Sequence, residues 1–174
     1  MKKLILITLL LIGFVIIDNV YAQNDNIQPK PLTVTIYAKG TVLSPLSISS
    51  SRDLNFGDDI LPGVNRTIDK NSSSAGKFSI LGQADKEITI SIMTPPELIS
   101  GTNVLSVSFA PTDAGYKIPS GSVVDFDPLN PVNASFGTDG AMDILIGGTV
   151  SPFHDQTPGL YEGAITVIFY YTGN

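Results

Sequence analysis

The chain has no cysteine and no tryptophan, a single histidine (His154) and only three glutamates (Glu87, Glu97, Glu162) among its 174 residues. Without cysteine there can be no disulfide scaffold, thiol nucleophile or thiolate metal site. One histidine excludes a multi-histidine zinc site. Charged residues are scarce, at 15%, and the net charge is −6. No basic cluster offsets that charge, so a phosphate backbone meets repulsion and nucleic-acid binding is not expected. Few glutamates and lysines leave long helices poorly supported. What is abundant is apolar and turn-forming: 43% hydrophobic residues, 16 glycines and 12 prolines. Such a chain is too apolar and too weakly charged to stay disordered, and it suits an all-β domain.

The first 22 residues read as an export address. Lys2 and Lys3 precede an apolar run from Leu4 to Ile17, and Val20-Tyr21-Ala22 offers small residues at the −3 and −1 positions. That is the three-part layout of a secretory signal peptide, and the run is short for a membrane span. The expected product is exported, to the periplasm, the cell surface or the medium, with no membrane span after signal cleavage. Residues 23–31 are polar and carry Pro29 and Pro31, so they read as a flexible lead. Residues 32–174 read as one β domain, long enough to bury a core without disulfides.

Strands follow from alternation of period two. Leu32, Val34, Ile36 and Ala38 share one face of a first strand, and Ile88, Ile90 and Ile92 one face of the cleanest strand, Lys86 to Met93. Further strands are expected over Thr41 to Ser49, Gly76 to Gly82, around Leu105-Val107-Phe109 and around Met142-Ile144-Ile146. The last is expected from Leu160 to Thr172, with Tyr161, Gly163, Ile165, Val167, Phe169 and Tyr171 on one face. Pro111 to Gly121 and Asp125 to Asn133 read as turn and loop. About eight strands with frequent turn signals close their core as two sheets face to face.

The order of short motifs carries a resemblance. Leu54-Asn55-Phe56-Gly57, Phe78-Ser79-Ile80-Leu81-Gly82, Gly147-Gly148-Thr149-Val150 and Gly159-Leu160-Tyr161-Glu162-Gly163 with a final Tyr170-Tyr171 resemble the family called domain of unknown function 4402. The resemblance covers roughly residues 34–172. That family consists of exported bacterial proteins similar to pilus-forming subunits of the common-pilus type. The resemblance implies an immunoglobulin-like β-sandwich and no catalytic residues. Its implied partners are other copies or other pilin-like subunits and a periplasmic chaperone.

In such fibres a neighbour's strand fills a hydrophobic groove by main-chain pairing and alternating side chains. Here the donor candidates are Leu32, Val34 and Ile36, and the groove-lining candidates are Ile165, Val167, Phe169 and Tyr171. The same alternation also suits a first strand that pairs within its own domain, and the sequence leaves both open. The expected role is therefore an exported structural or adhesion-type subunit, and not an enzyme. The alternative is a secreted monomer binding a carbohydrate or small ligand in its loops, where Tyr116 and Phe136 are the aromatics.

Other groupings have plainer readings. His154-Asp155 pairs a base with a carboxylate, but strand neighbours point to opposite faces and no Gly-x-Ser-x-Gly elbow accompanies them, so a surface histidine is expected. Asp58-Asp59 and Asp125-x-Asp127 offer calcium-type oxygen ligands without matching an EF-hand loop; they read as solvated turn carboxylates. Asn65, Asn71 and Asn133 begin Asn-x-Ser/Thr triplets, which are ordinary turn composition. No cofactor is expected.

Overall fold

The computed structural model describes residues 39–40 and 42–173, and the architecture below is that of the compact unit beginning at Thr41. The signal sequence, the polar lead and Leu32–Ala38 lie outside the described residues.

The described chain is all-β, and no helix occurs in it. Twelve strands run in order: β1 Ser47–Arg52, β2 Arg66–Ile68, β3 Gly76–Leu81, β4 Glu87–Met93, β5 Glu97–Ser100, β6 Asn103–Ser108, β7 Ala114–Lys117, β8 Val124–Phe126, β9 Val132–Ser135, β10 Ala141–Ile146, β11 Gly148–Ser151 and β12 Thr166–Tyr171. All pairings are antiparallel. They form a five-stranded sheet β1-β3-β10-β7-β8, a three-stranded sheet β12-β4-β9 and a four-stranded sheet β2-β11-β6-β5.

The first two sheets face each other as a β-sandwich. Ile80 of β3, with Met142, Ile144 and Ile146 of β10, meets Ile88, Ile90 and Ile92 of β4 in one buried cluster. β4 and β10 alternate buried and less buried positions, as period-two side chains require, while in β3 Ile80 is buried and Phe78 half-buried. The third sheet carries a smaller cluster of Phe56, Leu105, Val107 and Val150. Phe109 packs against both clusters. The chain passes from β10 to β11 through Gly147, where an added Cβ would collide with the Ile68 carbonyl and the Lys70 amide. Only glycine lets the backbones approach so closely.

The expected sandwich is present, with more strands than the eight anticipated. The region Pro111–Gly121 contains β7, and Asp125–Asn133 holds most of β8 and the start of β9. β2 and β5 were likewise not anticipated. These strands have three or four residues, too few to display an alternation. The last strand starts at Thr166, six residues later than expected. Upstream of it only Glu162 makes a bridge, to Ile99 of β5. There Gly163 lies against Leu98 and Pro95, and the chain crosses from the four-stranded sheet to the β4 edge.

Candidate functional site: an open sandwich edge

β12 (Thr-Val-Ile-Phe-Tyr-Tyr) consists wholly of β-branched and aromatic residues, which fit a half-buried pleated surface. Its register against β4 sets Val167 opposite Ile92, Phe169 opposite Ile90 and Tyr171 opposite Ile88. Ile165, Val167, Phe169 and Tyr171 all pack inward on the main cluster. They are nevertheless only half-buried, whereas Ile88 and Ile90 on the adjacent strand are fully buried. The other face of β12, with Ile168 and Tyr170, is exposed.

The hydrogen-bond phase of β12 follows from one contact. Thr172 N–H donates to the Glu87 carbonyl at 3.2 Å. In an antiparallel ladder alternate residues pair in this way. The even-numbered residues of β12 therefore turn their backbone groups to β4, and Val167, Phe169 and Tyr171 turn theirs away. β12 ends its sheet, and among the described residues no strand pairs with its other side. The row of outward N–H and C=O groups is a template for another strand.

Tyr171 closes one end of this edge. Its hydroxyl accepts from Gln83 N–H at 2.6 Å and donates to the Ser44 carbonyl at 2.9 Å. Ser44 is stitched back in turn, its N–H and Oγ both donating to Gln83 Oε1. Two residues on, Leu46 packs against the main cluster. Residues 44–46 thus span from the β12 edge to the start of β1, the end strand of the facing sheet. The edge is bounded at Tyr171, and Ile165, Val167 and Phe169 line it towards the Thr166 end.

Sequence reasoning expected Ile165, Val167, Phe169 and Tyr171 on one face, and they share one. Leu32, Val34 and Ile36 lie outside the described residues. The loop aromatics stand differently: Phe136 is 3% exposed and belongs to the core, while Tyr116 sits in β7. Phe153 is the exposed loop aromatic that the sequence did not single out. His154 is exposed in a turn, its ring against Gly63. Asp59 is engaged by Arg66. Asp127 accepts from Leu129 N–H and Asn130 Nδ2 within its own turn. Asp125 pairs with Lys70, 3.2 Å away. Among the described residues no three His, Asp or Glu side chains gather as a metal site, and no helix is long and apolar enough to cross a membrane.

Two clefts open on the surface of the described residues. One, of about 400 Å³, opens between β7–β8 and β9, on the side of the sandwich opposite β12. The other, of about 220 Å³, lies between the loops at 57–62 and 152–161. In the latter Gln156 Nε2 donates to the Tyr161 hydroxyl at 2.8 Å and to the Val104 carbonyl at 2.9 Å. The Tyr161 hydroxyl in turn donates to the Thr157 carbonyl at 2.6 Å.

No protein-family model matches the chain, and no curated protein matches it.

Proposed function

We propose that this chain is an exported structural subunit of pilin-like type that assembles by accepting a strand along β12. The observation that carries the reading is the β12 edge. Its backbone groups point outward at the residues whose side chains are apolar, inward-facing and half-buried. A strand added there would contribute main-chain hydrogen bonds and bury alternate side chains. The donor is Leu32, Val34 and Ile36 of another copy, whose alternation offers three apolar side chains to the positions lined by Ile165, Val167 and Phe169. The leader-like first 22 residues support export to the periplasm, cell surface or medium. The motif order that resembles the exported pilin-like family supports the same role, with a periplasmic chaperone as the partner that holds the edge before assembly.

The test is light scattering behind size exclusion, on the chain from Gln23, beside one starting at Gly40 and one carrying Ile36→Asp. Concentration-dependent oligomers lost in both variants support strand donation. A monomer from Gln23 beside an unfolded chain from Gly40 would mean that Leu32–Ala38 is the domain's own first strand.

A further inference from the structure

We propose that the cleft between the loops at 57–62 and 152–161 docks a proline-flanked lysine, Pro29-Lys30-Pro31, from a second copy of this chain. Ile60, Pro62, Pro152, Pro158 and Tyr161 line the cleft with rings and aliphatic groups. Ile60 and Tyr161 also pack against the Phe56, Leu105, Val107 and Val150 cluster, so that wall rests on a core. The Gln156 side chain is fully engaged: Oε1 accepts from Phe153 N–H at 3.2 Å, and Nε2 gives its hydrogens to the Tyr161 hydroxyl and the Val104 carbonyl. An occupant therefore gains more from ring contacts than from hydrogen bonds to these two side chains. Asp58 is the one charged residue lining the cleft, no Lys or Arg lines it, and Asp155 is exposed in one of its loops. The nearby Arg66 guanidinium is taken by Asp59 and the Phe56 carbonyl. The chemistry calls for a cation set between rings.

The form of the occupant follows by exclusion. Neither loop carries a strand, so there is no ladder to extend. A cleft of about 220 Å³ is too small for a helix about 10–12 Å across. An extended polyproline-type segment remains: its backbone is solvated and its rings project to the sides. Pro29 and Pro31 are such a segment in the sequence, each fixing its own φ, and Lys30 before a proline is biased the same way. No other Lys or Arg of the chain stands between two prolines. Little conformational freedom is then lost on docking. Leu32 follows Pro31 directly, and Tyr161 stands four residues before Ile165 of the β12 edge. A copy docked by its lead thus brings Leu32, Val34 and Ile36 beside that edge. This consequence rests on the function proposed above; the docking itself does not.

Paramagnetic relaxation in a mixed sample tests the proposal. One chain from Gln23 carries a nitroxide at Gln28→Cys, the chain's sole cysteine, and is unlabelled with nitrogen-15. The other is cysteine-free and nitrogen-15-labelled. Both carry Ile36→Asp, which removes strand donation, so the two readings fail separately. Broadening is expected at 57–62 and 152–161 of the labelled chain, weakening with salt. Pro29→Ala with Pro31→Ala should abolish it. Lys30→Gln and Asp58→Asn, checked for an unchanged melting temperature, should each weaken it roughly two- to fivefold, and the two together no more than either alone. Three results overturn the proposal: no broadening at these loops, broadening only between a lead and the loops of its own chain, or broadening that ignores the proline and charge variants.

Discussion

Lys70 is the one buried charged residue among those described, 8% exposed. Its stem lies along Gly115, and its ammonium donates to the Thr112 carbonyl at 2.7 Å and pairs with Asp125. The two partners do not contribute equally. Asp125 has a side chain 50% exposed, so water screens its share of the pair. The carbonyl bond is the more sheltered contact, and losing it leaves an acceptor without its donor. Lys70→Met should therefore cost about 1–3 kcal/mol, and Asp125→Asn less than about 1 kcal/mol. Urea midpoints of the two variants check the order; a larger loss from Asp125→Asn would mean the ion pair dominates. Nothing in the sequence marks Lys70. It stands between Asp69 and Asn71, and Gly115 of β7, Thr112 and Asp125 of β8 lie against it.

At the scale of the element, what was legible depended on strand length. β3, β4 and β10 have six or seven residues, and their alternation is plain in Phe78-x-Ile80, Ile88-x-Ile90-x-Ile92 and Met142-x-Ile144-x-Ile146. The inward face of β12 was legible for the same reason. β7 (Ala-Gly-Tyr-Lys) and β8 (Val-Asp-Phe) have no such pattern; their pairing partners make them strands. The cleft between them and β9 was therefore hidden as well, since it forms only when β7–β8 and β9 take their places in facing sheets. Glycines divide similarly by environment. Gly101, at the turn of the β5–β6 hairpin, has φ +64° and open space around it. Gly101→Ala should cost only the backbone strain, about 1 kcal/mol. Gly147→Ala sets a methyl against the backbone of Ile68 and Lys70, which cannot yield without moving β2 from β11. Its cost should exceed about 2 kcal/mol. Thermal melts of the pair check this, and equal losses would show that the Ile68 segment shifts freely.

Over the whole molecule, two apolar clusters invite the question of whether they unfold separately. Ile146 belongs to one and Val150 to the other, four residues along a continuous path from β10 to β11, and Phe109 packs against both. Losing one cluster would strip contacts from the other. Calorimetry should therefore give a single transition for the sandwich and the four-stranded sheet together, with calorimetric and van't Hoff enthalpies in agreement; two resolved transitions would mean that the four-stranded sheet folds alone. The same wholeness has a mechanical side. Among the described residues the first hydrogen bonds into the sandwich are made at Ser44 and the last strand ends at Tyr171, and these two residues are hydrogen-bonded to each other. Tension drawn along the chain would meet at that corner and bypass the core. β1 would peel from β3 starting at Ser47, and β12 from β4 starting at Tyr171, one rung at a time like a zipper. At that corner the Tyr171 hydroxyl is the clasp.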